Sequence, residues 1–152
     1  TKKTKLVLIN HYGGIPSRID KVIKICKNKN IHIVEDAATV LGAKISGKSI
    51  GSFPGSTSIF SLQSNKIITT GEGGIITTNN ARLAKKLRVL RDHGAEMSDL
   101  QRHLGSKPYL LADHVELGFN YRMSEIHSAI GLAQINKIDY FLNKREENFK
   151  FL

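Results

Sequence analysis

Short apolar runs and one helical stripe alternate in the first quarter of the chain. Residues 5–10 (KLVLIN) and 31–35 (IHIVE) predict two short buried strands. Between them Pro16 stands near a predicted helix start, and apolar residues fall at helical spacing: Ile15, Ile19, Val22, Ile23 and Cys26. A strand, a helix and a strand within about thirty residues predict a βαβ unit with parallel strands.

Three further strand-like runs follow a glycine-rich stretch in the middle of the chain. Residues 56–62 (STSIFSL), 66–70 (KIITT) and 73–79 (GGIITTN) combine apolar and β-branched side chains. The glycine cluster at 71–74 predicts a turn that joins the last two runs as a hairpin.

The second half of the chain is mainly helical in pattern. Residues 79–93 predict a helix that Asn79 or Asn80 can cap, with a core stripe at Leu83, Leu87 and Leu90. Gly94 is predicted to end this helix, and residues 95–116 predict an irregular connection. A final helical segment is capped by Ser124 and presents one broad apolar face: Ile126, Ala129, Ile130, Ala133 and Ile138.

Composition narrows the class of protein. With 152 residues, 40% hydrophobic and 24% charged, the chain is long enough for one globular domain with a core. The formal net charge of +10 fits either a solvated lysine-rich surface or a surface that attracts phosphate-rich ligands, nucleic acid included. The charges are scattered, without a dense basic run among aromatics, which favours the solvated surface and makes nucleic acid an unlikely partner.

Several classes of protein and site are not indicated. No run of about eighteen apolar residues predicts a membrane span, and the first residues lack the pattern of a signal peptide. A single cysteine, Cys26, cannot form an internal disulfide, so a cytoplasmic protein is the default expectation. The histidines show no metal-binding spacing, and no GxSxG, GxGxxG or P-loop motif occurs.

Three residues are candidates for chemistry. Asp36 follows a predicted parallel strand, where open α/β sheets bind ligands, although such an acid can equally cap a turn. A sheltered Lys66 could lose its proton and attack an aldehyde, whereas an exposed hairpin lysine would do neither. Ser61 ends a predicted strand and can donate to a phosphate or satisfy local backbone groups.

Four segments in order carry a resemblance to one family: VEDAATVLGAKISGKSIGS, FSLQSNKIITTGEGGIITTN, RDHGA and LGFNYRMSEIHSAIGLAQ. The chain resembles the DegT/DnrJ/EryC1/StrS sugar aminotransferases over nearly all of its length. The resemblance implies an α/β fold, a three-layer sandwich with a mostly parallel central sheet. It also implies that residues 1–152 form part of the large, pyridoxal-phosphate-binding domain, without the segment preceding it and without the small C-terminal domain.

The resemblance also implies a role for each matching residue. Lys66 matches the lysine that holds pyridoxal 5'-phosphate covalently and serves as the catalytic base. Asp36 matches the carboxylate that pairs with the pyridinium nitrogen, and Ser61 matches a hydroxyl that binds the cofactor phosphate. Asn120 matches an asparagine that reaches the cofactor of the neighbouring subunit, which implies a homodimer. Thr39 stands near the cofactor ring, where the family often has Gln, Glu or His.

The function implied is transfer of an amino group, from glutamate, to a nucleotide-linked keto-sugar. Dehydratases of the same superfamily carry histidine in place of the lysine, and Lys66 is intact here. The alternative is a non-catalytic regulatory or interaction protein that retains the fold. A basic module that binds phosphate or nucleic acid is a third interpretation, supported only by the net charge.

Overall fold

A computed structural model describes residues 1–97, 99–106, 108–109 and 112–152. These residues form two compact units. The first contains Thr1–Asn79 together with Ser124–Leu152, and the second contains Asn80–Met123.

The secondary structure follows the order that the sequence pattern predicts, with differences in the middle of the chain. The strands are β1 (Leu6–Asn10), β2 (His32–Asp36), β3 (Lys44–Ile45), β4 (Lys48–Ser49), β5 (Ser56–Ser61) and β6 (Gly74–Thr78). The helices are α1 (Ile19–Cys26), α2 (Ala81–Arg91), α3 (Asp99–Leu104), α4 (Glu125–Ile135) and α5 (Ile138–Phe151).

The first unit is built on a mixed sheet in the order β1-β2-β5-β6. Strands β1, β2 and β5 are parallel, and β6 runs antiparallel to β5. Helix α1 connects β1 to β2, so the predicted βαβ unit is confirmed. The mostly parallel sheet with helices confirms the predicted α/β class. A separate two-stranded ladder joins β3 to β4.

One face of the sheet carries the core. Alternation along each strand places Ile9, Ile33 and Phe60 on this face, where all three are buried. They pack with the apolar residues of α1 and of the following loops: Ile19, Cys26, Ala37, Val40, Ile50 and Phe53. The predicted burial of residues 5–10 is therefore only half right, because Leu6 and Leu8 point to the opposite face and are 51% and 65% exposed.

The predicted strand at 66–70 is wrong. Residues 62–70 form a loop whose ends meet, since the Thr70 backbone N–H donates to the Leu62 carbonyl at 3.0 Å. Strand β6 pairs with β5 rather than with residues 66–70. Buried side chains instead anchor the loop: the apolar Leu62 and Ile68, and the polar Thr70.

Helix α4 begins as predicted, with the Ser124 hydroxyl accepting from the His127 backbone N–H at 3.2 Å. Its inward face is not the predicted one. Ile126 is 75% exposed and Ile130 41% exposed, and Ala129 and Ala133 are exposed as well, which leaves only Ile138 of the predicted face half-buried. The side that packs is small and polar: His127, Ser128, Gly131 and Gln134.

In the second unit, α2 is capped by Asn80, whose Oδ1 accepts from the Leu83 backbone N–H at 3.0 Å. The helix ends at Arg91, earlier than the predicted end at Gly94, and the Gly94 N–H donates back to the Val89 carbonyl at 3.0 Å. The segment predicted to be irregular contains the short helix α3. The chain then returns beside the end of α2, where the Phe119 N–H donates to the Leu90 carbonyl at 2.7 Å.

Candidate functional site

The carboxyl edge of the parallel strands brings Asp36 and Ser61 to the same end of the sheet. Asp36 is the last residue of β2 and is paired in register with Ile59 of β5. Ser61 lies two residues further along β5 and therefore on the same face as Asp36. The Asp36 carboxylate accepts from the Ala38 backbone N–H at 3.2 Å. The Ser61 hydroxyl accepts from the Gln63 backbone N–H at 3.3 Å.

Lys66 lies in the closed loop that follows β5. A turn fixes its backbone, since the Lys66 N–H donates to the Gln63 carbonyl at 3.0 Å. The lysine is half-buried, and within the described part of the chain its amine has no hydrogen bond or ion pair. Gly71 follows the loop, and its φ of +85° belongs to the left-handed region that glycine adopts without strain. The amine is thus held on an ordered loop and is open to a ligand.

A pocket of about 510 Å³ brings together three of the predicted residues of the first unit. Lys66 and Ser61 line it from the β5 side, and Thr39 lines it from the loop after β2. Its remaining lining residues are Gly13, Gly14, Ala38, Val40, Leu41, Gly42, Ala43, Asn65, Ile67, Leu142 and Arg145. This volume falls within the range of small-molecule sites, which run from about 300 to 1,000 Å³.

The lining favours an anionic ligand that carries a carbonyl. Lys66 and Arg145 bring positive charge, and the described lining residues include no carboxylate. Ser61 and Asn65 add a hydroxyl and an amide that can donate to phosphate oxygens. The apolar side chains of Val40, Leu41 and Ile67 can cover a flat ring. The lining therefore fits pyridoxal phosphate, the cofactor that the resemblance implies.

Of the predicted residues Thr39, Asp36 and Asn120, only Thr39 lines the pocket. Its hydroxyl is engaged, donating to the His11 carbonyl at 2.8 Å. Asp36 stands at the strand end beside the lining residue Ala38 without lining the pocket itself. Asn120 belongs to the second unit, where it is exposed and bridges Asp92 in an antiparallel pair. The specific roles of these residues remain predictions.

Several lining residues were missed by the sequence analysis. Gly13 and Gly14 look like ordinary loop punctuation, and Asn65 looks like part of a turn. Arg145 lies in the charged run NKREEN on α5, where nothing in the spacing distinguishes it from a solvated arginine. Leu142 contacts Gly42: a Cβ on that glycine would meet the Leu142 Cδ1 at 2.5 Å. This packing is what brings the Arg145 turn of α5 to the pocket.

Among the residues the structure describes, no group of three or more His, Cys, Asp or Glu side chains could hold a metal ion. Within the same described residues, no helix is both long and apolar enough to cross a membrane.

Comparison with known proteins shows the family to which the chain belongs. The model of the DegT/DnrJ/EryC1/StrS aminotransferase family matches residues 1–152. GDP-perosamine synthase of Caulobacter vibrioides is 40% identical over 146 residues, which cover 96% of this chain and 36% of that protein. The chain thus spans little more than a third of this relative.

Two solved structures show the same fold. The Helicobacter pylori aminotransferase PseC, involved in the biosynthesis of pseudoaminic acid, has a TM-score of 0.84 and 31% identity, covering 97% of this chain and 37% of that chain. The E. coli GDP-4-keto-6-deoxy-D-mannose-3-dehydratase, solved with hydrated pyridoxal phosphate, has a TM-score of 0.82 and 28% identity, covering 99% and 40%.

Proposed function

The chain belongs to the DegT/DnrJ/EryC1/StrS aminotransferase family, and we propose that it forms the cofactor-binding core of an aminotransferase acting on nucleotide-linked keto-sugars. The observation that carries this proposal is that Lys66 lines a pocket with Ser61 and Thr39 at the carboxyl edge of the sheet. Pyridoxal phosphate, when bound, supplies an electron sink for the carbanion that transamination requires.

Each residue in or beside the pocket has a separate proposed role. Lys66 would hold the cofactor covalently through its amine, and the same amine would hold and move the proton at the substrate Cα. The Ser61 hydroxyl donates to the cofactor phosphate, and Arg145 adds positive charge on the α5 side. The Asp36 carboxylate, at the end of β2, keeps the ring nitrogen protonated.

The substrates proposed follow from the relatives. GDP-perosamine synthase and the GDP-4-keto-6-deoxy-D-mannose dehydratase are both named for GDP-linked sugars. A nucleotide-linked keto-sugar as amino acceptor, with glutamate as donor, is the corresponding proposal for this chain. Lys66 separates it from the dehydratase activity, for which the lysine would be replaced by histidine.

We extend the proposal to assembly and location. Asn120 is exposed in the second unit, and we propose that it reaches the cofactor phosphate of a second copy, which makes the active protein a homodimer. Synthesis of nucleotide-linked sugars from soluble substrates is consistent with a cytoplasmic enzyme.

The test is covalent capture of the cofactor. Purified chain is mixed with pyridoxal phosphate, reduced with borohydride and digested, and the modified lysines are identified by mass spectrometry. We expect modification concentrated on Lys66 and an absorbance band that the Lys66→Ala variant lacks. Lys44→Ala, which removes an exposed lysine of β3, is the matched control and should behave like the unmodified sequence.

Two outcomes would count against the proposal in different ways. Modification spread over surface lysines, with no loss in Lys66→Ala, would mean that the pocket does not select the cofactor. Selective binding at Lys66 without any spectral change on addition of glutamate would contradict the proposed donor and favour the non-catalytic alternative.

A further inference from the structure

A buried polar cluster lies under the sheet's carboxyl edge and plays no part in the proposed chemistry. His11 and Glu35 are 1% and 0% exposed, and Ser58 is 1% exposed. Glu35 lies on the core face of β2, one residue before Asp36. Its Oε1 accepts from the hydroxyls of Ser56 and Ser58, the second at 2.7 Å. A buried carboxylate is tolerated only when its oxygens are satisfied in this way.

The third partner of Glu35 is the ring of His11, in a defined tautomer. The Ser17 backbone N–H donates to His11 Nδ1 at 3.0 Å, so Nδ1 presents a lone pair. The proton therefore lies on Nε2, which donates to Glu35 Oε2 at 2.9 Å. Both ring nitrogens are engaged, and the ring orientation is fixed between a buried acid and a loop amide.

The backbone of His11 reaches the pocket rim from the same position. Its N–H donates to the Asp36 carbonyl at 3.0 Å. Its carbonyl accepts from the Thr39 hydroxyl at 2.8 Å. The Ser17 contact also closes residues 11–17 into a loop, which includes the lining residues Gly13 and Gly14. Three parts of the rim are thus tied to one residue, two through its backbone and one through its ring.

We propose that His11 is a positioning residue: its ring links the buried Glu35 carboxylate to the loop that holds Gly13 and Gly14, while its backbone bonds to Asp36 and Thr39. Glycines in a loop have no side chains to fix them, so their position depends on such anchors. The ligand affinity of the pocket then depends on a histidine that does not line it. This inference rests on the proposed function only in its choice of pyridoxal phosphate as the ligand.

Two substitutions can each remove one hydrogen bond of the His11 ring while keeping the other. His11→Gln places an N–H near the position of Nε2, keeping a donor for Glu35 while removing the acceptor for Ser17. His11→Asn places an oxygen near the position of Nδ1, keeping the acceptor for Ser17 while removing the donor for Glu35. His32→Gln changes the exposed histidine at the start of β2 and is the matched control.

Three readouts are compared: thermal unfolding, the dissociation constant for pyridoxal phosphate, and hydrogen exchange of the Ser17 amide. We expect His11→Gln to unfold near the temperature of the control. At 25 °C it should bind pyridoxal phosphate about fivefold more weakly, the equivalent of one hydrogen bond. Its Ser17 amide should exchange faster. We expect His11→Asn to lower the unfolding temperature most, because Glu35 loses a donor in the core.

The outcomes distinguish the inference from the proposed function. If His11→Gln binds the cofactor as tightly as His32→Gln and its Ser17 amide remains protected, His11 does not position the rim. If no variant, including the unmodified sequence, binds pyridoxal phosphate, the proposed function fails. The exchange of the Ser17 amide then still decides whether His11 holds the loop.

Discussion

Gln134 on helix α4 accepts, through Oε1, a hydrogen bond of 2.9 Å from the backbone N–H of Thr69, 65 residues earlier in the chain. Thr69 belongs to the loop that carries Lys66. The contact explains why α4 turns a polar side inward, since the loop backbone offers a donor that an apolar side chain could not satisfy. The lysine loop therefore depends on a helix that contributes no residue to the pocket lining.

Gln134→Ala is expected to destabilise the first unit. The Thr69 N–H would lose its acceptor in a partly buried position, which costs about 1–3 kcal/mol. Gln134→Glu retains an acceptor oxygen and should lose less. Urea unfolding measures both, with the exposed Asn143→Ala on α5 as control. Equal stability of Gln134→Ala and the control would show that the contact contributes nothing.

Gly131 and Thr70 should show energetic coupling. A Cβ at Gly131 would meet the Thr70 Cγ2 at 3.0 Å, a tight approach between α4 and the loop. Replacing a helical glycine by alanine gains about 1 kcal/mol where space allows. We expect Gly131→Ala to realise this gain only together with Thr70→Ser, which removes the methyl group and keeps the hydroxyl bond to the Glu72 carbonyl.

The double-mutant cycle is read from free energies of unfolding. A gain from Gly131→Ala that is the same with threonine and with serine at position 70 would mean that the two residues do not restrict each other. Thr70→Ser alone supplies the reference for the serine background.

Arg145 is expected to strengthen binding of an anionic ligand. Its guanidinium lines the pocket with Lys66 and is open to solvent, so its contribution should be modest and sensitive to salt. Arg145→Gln should weaken binding of pyridoxal phosphate a few-fold at low ionic strength, and the difference should shrink as salt is added. Lys24→Gln removes an equal charge from α1 outside the pocket. Similar affinities for the two variants would leave Arg145 without a specific role.

Asp20 should titrate below its ordinary range. The Arg18 guanidinium donates to both carboxylate oxygens of Asp20, at 2.8 and 2.6 Å. This hydrogen bonding lowers the pKa of Asp20 to about 2. Because the folded pKa lies below the unfolded value of about 3.9, the contribution to stability is complete above that pH and is lost as the pH falls towards 2.

An NMR titration of the Asp20 carboxyl carbon measures this shift. Arg18→Gln should return the midpoint towards the value of an ordinary aspartate. The pair is exposed on the protein surface, so we expect little change in overall stability from either variant. An unshifted midpoint in the unmodified chain would show that the pair does not persist in solution.

Local patterns were sufficient for much of the fold. The βαβ unit and the cap at Asn80 depend on short-range spacing and on single local bonds, and both were confirmed. The four family motifs fixed the family for the same reason, because order and identity of residues are properties of the sequence itself.

Other features were decided only by tertiary contacts. A run such as KIITT has the composition of a strand, yet no neighbouring strand pairs with it, and Leu62 and Thr70 close it into a loop instead. The apolar face of α4 is exposed because close approach at Gly131 and the bond from Gln134 to Thr69 together determine which side packs.

The residues of the candidate site also fall into two groups, those that the sequence identified and those that only the tertiary structure revealed. Lys66, Ser61 and Thr39 were identified from the sequence and share one pocket. Arg145 could not be identified, because only the packing of Leu142 against Gly42 brings its turn of helix to that pocket. The sequence by itself determined the family and named the candidate residues for chemistry. The tertiary structure decided which of them meet, because contacts between distant segments depend on packing and on the satisfaction of buried polar groups, as at His11 and Glu35.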